Sequence, residues 1–172
     1  MTTSRHFVVR LDLGKRGQVR GFSLIELMVV LAIMALLASI AFPLAELARR
    51  RGQEEELHRA LLEIRRGLDD YKHLVEQGHI ANPSGGSGYP PSLDALVKGV
   101  PDLQSPKGSR IYVMRRLPRD PFAPASIADA VQTWGQRSYD SPPDAPKTGS
   151  DVFDVYSQTP GKGLDGTLYR DW

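Results

Sequence analysis

Residues 20–45 read RGFSLIELMVVLAIMALLASIAFPLA, and this stretch decides how the whole chain is organised. From Leu27 to Ala45 it contains 19 consecutive residues without a charge. That is about the length a helix needs to cross a hydrocarbon core of ~30 Å. Apolar side chains occupy every side of such a helix, so no face is left for water. The stretch therefore predicts a membrane-spanning helix.

The charges on either side of this helix predict its orientation. Residues 1–21 carry five basic side chains and one acidic side chain, and three arginines follow the other end at 49–51. Because basic residues are retained on the cytoplasmic side, we expect the N-terminus to lie inside and the bulk of the chain outside. An ordinary signal peptide has a shorter apolar core followed by a small-x-small cleavage site, so we do not expect the whole run to be removed.

One acidic residue interrupts the apolar pattern. Glu26 lies one position before the uncharged run. A carboxylate in the middle of a membrane costs about 2.5–3.5 kcal/mol, and less near the interface. Spacing alone leaves two interpretations open: the side chain reaches the headgroups beside Arg20, or it has a specific partner and a function.

Composition and motifs exclude several classes of function. Residues 22–172 carry 17 basic and 19 acidic side chains, so a nucleic-acid surface is not indicated. The absence of cysteine excludes a disulfide framework and a thiolate zinc site. The sequence contains no HExxH motif, nucleophile elbow, P-loop or dinucleotide fingerprint. We predict neither an enzyme nor a cofactor; the alternative of another class is a membrane-anchored periplasmic binding or enzymatic domain.

Residues 44–77 predict a continuation of the helix with one apolar face. Its apolar positions recur at steps of four and three, which places them on one side, packed against the same domain. Gly78 is suited to end the helix. The stripe comprises Leu57, Leu61, Ile64, Leu68, Tyr71 and Val75. Local ion pairs are expected at Glu55/Arg59, Arg65/Asp69 and Arg66/Asp70.

Residues 79–172 contain 12 of the 13 prolines and predict loops with short elements. Ser92 is suited to cap a short helix over Leu93–Lys98 that Gly99 ends. A small antiparallel sheet is expected to pack on the apolar stripe. Its predicted strands are Arg110–Met114, Val131–Trp134 and Asp151–Tyr156.

The N-terminal stretch resembles the start of type IV prepilins and type II secretion pseudopilins. The resemblance rests on Gly21 before Phe22, on Glu26 at the fifth place after that junction, and on Pro43, 21 residues beyond the phenylalanine. It implies that a prepilin peptidase cuts after Gly21 and that Phe22 becomes the N-methylated mature terminus. It also implies that Glu26 and Pro43 belong to the assembly helix, with Glu26 pairing with the terminal amine of a neighbouring subunit.

The same resemblance implies an α+β, type IV pilin-like fold in four segments. These are a leader at 1–21, a transmembrane and assembly helix at 22–45, a soluble helical half at 46–78 and a periplasmic globular domain at 79–172. The implied partners are the prepilin peptidase, copies of this chain, minor pseudopilins and the inner-membrane assembly platform of the secretion system.

Three fragments resemble the G-type major pseudopilin of type II secretion: residues 88–96 (GYPPSLDAL), 117–122 (LPRDPF) and 151–157 (DVFDVYS). They imply a structural subunit of the pseudopilus that drives protein export. Pilins proper often close a loop with a disulfide, so the lack of cysteine favours a pseudopilin. A minor type IV pilin or competence pseudopilin is the alternative within the class. Residues 135–150 look longer than the family norm, and we expect them to protrude.

One feature departs from the family. Many G-type pseudopilins bind calcium in the loop after the last of these fragments, but here Gly161, followed by Lys162, occupies the position of the motif's aspartate. Calcium takes six to eight oxygen ligands. Asp165 and Asp171, with basic neighbours, are a poor set, so we predict no metal. We expect packing to close the loop instead, through Leu164, Leu168, Tyr169 and Trp172.

Overall fold

The computed structural model describes residues 21–82 and 86–172, and the chain divides into two compact units between Leu44 and Ala45. One long helix, α1 (Leu24–Glu76), contributes to both units. The later elements are α2 (Asp94–Lys98), β1 (Val100–Pro101), β2 (Arg110–Ile111), a 3-10 helix (Val131–Thr133), β3 (Trp134–Arg137), β4 (Asp154–Ser157) and a second 3-10 helix (Tyr169–Asp171). This α+β, pilin-like layout confirms the predicted fold class.

The core of the second unit is built on the predicted apolar stripe of α1. Five of the six stripe residues are fully buried, and Val75 is half-buried against the same cluster. Side chains from the rest of the unit complete the core: Ile80, Leu93, Leu96, Met114, Trp134, Val152, Val155 and Tyr169. This burial confirms the predicted stripe. A helix whose apolar residues recur with this period is stabilised by burying that one face against the rest of its domain.

The C-terminus of α1 closes at a glycine, as predicted. Gly78 has φ of 76°, its N–H donates to the carbonyl of Val75 at 3.0 Å, and His79 donates to Leu74 at 2.9 Å. These two bonds are those of the Schellman motif, which satisfies carbonyls that the last turn leaves free. A residue with a Cβ would be strained at this φ.

The antiparallel strands form two separate pairs and not one sheet. Strand β1 pairs with β2, and β3 pairs with β4 in a register that sets Trp134 opposite Ser157. The prediction of strand Arg110–Met114 was too long, because the N–H of Met114 donates to the carbonyl of Leu96 in α2. That bond turns the chain away from the β1 edge.

Two further strand predictions were displaced along the chain. Val131–Thr133 is a 3-10 turn, so the predicted strand Val131–Trp134 is wrong and the real strand starts at Trp134. Strand β4 begins at Asp154, three residues after the predicted start. Val152 and Val155 are both buried, and a spacing of three residues breaks the alternation on which the prediction depended.

The other corrections concern the ends of α2 and the predicted protrusion. Helix α2 begins one residue late, its N-cap position is Leu93, and Ser92 contributes its carbonyl to Ala95 instead of a side-chain cap. Residues 135–137 of the predicted protrusion belong to β3. Most of the β3–β4 connection is exposed, and Asp151 holds its start by accepting hydrogen bonds from Ser138 and from the N–H of Tyr139.

Candidate assembly segment

The predicted cleavage junction lies immediately before the first turn of α1. Gly21 and Phe22 are exposed and precede the helix, and the phenylalanine is 81% exposed. Residues 1–20, the rest of the predicted leader, lie outside the described residues. An exposed, non-helical backbone is the conformation that a peptidase accepts most readily.

Ser23 caps α1. Its Oγ accepts a hydrogen bond from the backbone N–H of Glu26 at 3.2 Å, and its carbonyl accepts one from Leu27 at 3.1 Å. A serine followed three residues later by a glutamate is the capping-box pattern that starts many helices. Sequence reasoning missed Ser23 as a site residue, although this spacing is visible in the printed sequence.

Glu26 is exposed in the first turn of α1. A carboxylate at this position interacts favourably with the positive end of the helix dipole. Within residues 21–82 and 86–172, no basic side chain forms an ion pair with it. The structure thus brings Glu26 together with Ser23, and it leaves the carboxylate itself facing outward.

From Phe22 onward, the described part of the first unit exposes all of its large apolar side chains. Helix α1 is long and apolar enough to cross a membrane, and none of its most apolar stretch is buried. The exposed large side chains are Phe22, Leu24, Ile25, Leu27, Met28, Val29, Val30, Leu31, Ile33, Met34, Leu36, Leu37, Ile40, Phe42 and Leu44. An exposed patch of this extent marks a surface that lipid or other protein covers.

Pro43 lies inside α1 and is exposed. Proline has no N–H, so the carbonyl of Ser39 lacks its usual partner one turn later. The Ser39 hydroxyl donates to the carbonyl of Leu36 at 2.7 Å. Backbone groups freed by proline are tolerated in membrane helices where neighbouring helices or hydroxyls satisfy them.

The loop in which the family resemblance implies calcium does not offer the ligands. Asp165 accepts hydrogen bonds from the N–H of Thr167 at 2.9 Å and from its hydroxyl at 2.8 Å, which lowers the pKa of Asp165. Asp171 lies 3.6 Å from the Arg170 guanidinium. The Arg50 guanidinium donates to the carbonyl of Lys162. Across the described parts of the chain, no three acidic or histidine side chains form a metal-binding group.

The predicted packing of this loop is correct for two of its four residues. Tyr169 is buried and Trp172 packs partly against the core, whereas Leu164 and Leu168 are 42% and 38% exposed. The two aromatic rings pack edge to face, with centroids 5.0 Å apart. Aromatic side chains bury a larger area than leucine, so the aromatic pair provides most of the packing.

An exposed junction, a capped helix start and an exposed apolar run from Leu27 onward together define a class of protein. Residues 16–42 match the family described as the prokaryotic N-terminal methylation motif. The chain is also 30% identical over 112 residues to the type II secretion system core protein G of Klebsiella michiganensis. That alignment covers 63% of this chain and 71% of the relative. The comparison with solved structures gave no match.

The chain belongs to the family of type II secretion system core protein G, and it is a pseudopilin of that system. Membership indicates a structural, non-enzymatic subunit. Together with the apolar part of α1, it also indicates anchoring in the inner membrane. The recognition of a type II secretion pseudopilin from sequence is confirmed.

Proposed function

We propose that this protein is a subunit that prepilin peptidase cuts after Gly21, with Phe22 as the N-methylated mature terminus. The subunit then leaves the inner membrane to join a pseudopilus in which residues 22–45 of neighbouring copies pack together. The observation that carries the proposal is the exposure of every large apolar side chain from Phe22 to Leu44, directly after an exposed, non-helical junction.

The apolar surroundings of this helix explain how a single carboxylate in it can specify the position of one subunit against the next. Lipid is as apolar as leucine, so helices associate there through close packing and polar pairs, with little hydrophobic driving force. Packing between uniformly apolar helices is similar after a shift of one helical turn, so it specifies the axial position of a subunit only weakly. Glu26 is exposed near the helix start, and cleavage before Phe22 creates a cationic amine close to it in sequence.

Pairing between Glu26 and the terminal amine of the next subunit specifies the axial position. A subunit shifted by one turn leaves both charges unpaired, and breaking a buried ion pair costs about 3–5 kcal/mol. Pro43 marks the other end of the same segment. Its missing N–H leaves backbone acceptor capacity that neighbouring helices satisfy when the segment is packed.

The proposed topology follows from the charges at either end of the segment. The N-terminus lies in the cytoplasm, where the leader is cut, and the second unit lies in the periplasm. The partners are the prepilin peptidase, other copies of the chain, minor pseudopilins and the inner-membrane assembly platform. The match to core protein G favours type II secretion over a minor type IV pilin or a competence system.

The intact mass of the protein after expression with and without a prepilin peptidase tests the processing step. We expect the co-expressed protein to lose residues 1–21 and to gain one methyl group. Gly21→Leu places a bulky side chain at the junction and should prevent the cut. Gly17→Leu, a matched change inside the leader, should not. An unprocessed mass in the presence of an active peptidase contradicts the proposal.

A further inference from the structure

The loop over residues 161–172 contacts one face of α1. Four side chains of the helix reach it: Arg50, Glu54, His58 and Arg65. At 3.6 residues per turn, positions 50, 54, 58 and 65 fall within a quarter of the helix circumference. The loop is therefore attached along a single line of the helix within the second unit.

Glu54 is the buried acceptor of this contact. The residue is 8% exposed, and its Oε1 accepts a hydrogen bond from the N–H of Leu164 at 3.1 Å and another from the hydroxyl of Tyr169 at 2.9 Å. The Arg50 guanidinium lies 3.4 Å from the same oxygen. A buried carboxylate that receives two donors and a cation is compensated for its loss of water.

Arg50 supplies the positive charge and a second bond to the loop. Its guanidinium donates to the carbonyl of Lys162, beside the bridge that joins Lys162 to Leu168, and to the oxygen of Tyr169 at 3.3 Å. Burial raises the pKa of Tyr169, so its hydroxyl keeps the proton that it donates to Glu54. Arg50, Tyr169 and Glu54 thus form one chain of donors and acceptors.

Trp172 holds the far end of the loop. Its main-chain oxygen accepts a hydrogen bond from Arg65 at 2.7 Å, and its indole N–H donates to Thr167. The ring stacks on His58 with centroids 4.0 Å apart and an angle of 5° between the planes. The C-terminal end of the loop is therefore attached to α1 by Arg65 and His58, in addition to the contacts of Arg50 and Glu54.

We infer that the Arg50–Glu54 pair holds this loop in the place of a metal ion, so that the domain folds without calcium. Guanidinium and carboxylate supply the charge pairing that a cation and its acidic ligands supply elsewhere in the family. The arrangement also opposes a cation, because Arg50 already occupies the carbonyl of Lys162 and Asp165 is used by Thr167. The inference concerns the fold of the second unit, and the processing experiment can fail without affecting it.

Thermal unfolding of the full chain in detergent tests calcium independence. The two tryptophans, Trp134 and Trp172, report on the transition, which is recorded in millimolar calcium and in chelator. We expect the same midpoint in both, and no heat of binding when calcium is titrated into chelator-treated protein. Ligands that bind only the folded state raise its stability, so a midpoint several degrees higher in calcium overturns the inference.

Hydrogen exchange of residues 161–172 tests the pair itself. Glu54→Ala and Arg50→Ala each remove a charged hydrogen-bond partner of the loop. Because the loop then opens more often, we expect the exchange rate of its amides to rise about tenfold or more. Glu55→Ala and Arg49→Ala are matched controls, because both native side chains are exposed and neither forms a hydrogen bond or an ion pair with the loop; Arg49 pairs with Glu46 instead. Should Glu54→Ala fail to fold, Glu54→Gln keeps the volume and one acceptor and should show a smaller increase.

Two results of the exchange experiment contradict the inference. One is equal protection of the loop in the Glu54 and Glu55 variants. The other is restoration of protection in Glu54→Ala by calcium, which would show that the loop retains a cation site of its own.

Discussion

The two halves of helix α1 share a secondary structure and differ in almost everything else. From Leu24 to Leu44 the large apolar side chains are exposed, whereas from Ala45 to Glu76 most of them lie in a stripe that the second unit buries, with Leu62 as an exposed exception. Apart from Glu26, the first half carries no charge and is apolar on every side, whereas the second alternates apolar and charged positions with the helical period. The comparison shows that the partner of a helix is encoded in its pattern: the second half finds its partner within the chain, and the first half requires one outside it.

The largest effect that separates the halves is expected at Glu26. Glu26→Ala should leave cleavage and the unfolding midpoint of the second unit unchanged while abolishing filament assembly. Loss of an ion pair worth about 3–5 kcal/mol per subunit contact corresponds to more than ~100-fold less filament. Cross-linking of assembled subunits and export of a secreted protein provide the measurements.

Ser23→Ala is the control for this variant. It removes the helix cap and keeps the carboxylate, so it should cost about 1 kcal/mol of helix stability and still assemble. Normal assembly by Glu26→Ala, or equal loss in both variants, would mean that the carboxylate does not set register.

A matched pair of isoleucines tests the burial difference directly. Ile64 is completely buried and Ile40 is 63% exposed. Ile64→Ala should lower the free energy of unfolding by about 2–5 kcal/mol, because it removes apolar contacts and leaves a cavity. Ile40→Ala should leave the unfolding of the second unit unchanged. Denaturant titration of the full chain in detergent measures both, and similar losses would show that the halves are not independent.

A pair of glycines in the second half gives the smallest effects, and these have opposite signs. A Cβ at Gly52 meets nothing within 4 Å, whereas one at Gly67 lies 2.8 Å from the sulfur of Met114. Gly52→Ala should stabilise the helix by about 0.5–1 kcal/mol, since alanine loses less backbone entropy on folding. In Gly67→Ala that gain is outweighed by overpacking of about 1–3 kcal/mol. Thermal midpoints measure the difference, and stabilisation by both variants would show that Met114 yields easily.

Charge pairing shows where reasoning from sequence reached its limit. Spacing of four residues predicted that Arg65 pairs with Asp69, but Arg65 forms its ion pair with Asp154 of β4 at 2.8 Å. The Asp154 carboxylate forms a second ion pair, with the Arg137 guanidinium at 3.2 Å. An ion pair between residues four apart on an exposed helix contributes only a few tenths of a kcal/mol to stability. The less exposed carboxylate of Asp154 is therefore the preferred partner of Arg65. No pattern in the sequence reveals that partner.

The strand ends were misplaced for a related reason. Alternation of apolar and polar residues predicted a strand from Asp151, yet the carboxylate of that residue accepts bonds from Ser138 and the N–H of Tyr139 and so organises the preceding connection. Pairing with β3 begins only at Asp154. The start of a strand depends on the first available partner, which is a property of the fold.

The sequence by itself determined the features that depend on local chemistry. The apolar segment, the stripe of the second half and the stop at Gly78 all follow from residue type and spacing, and the pseudopilin class was recognised from the resemblance of the N-terminal motif to a known family. Tertiary structure alone decided which strands pair and how the C-terminal loop is attached. Arg50, Glu54 and Tyr169 are up to 119 positions apart, and only the folded domain brings their polar groups within hydrogen-bond distance.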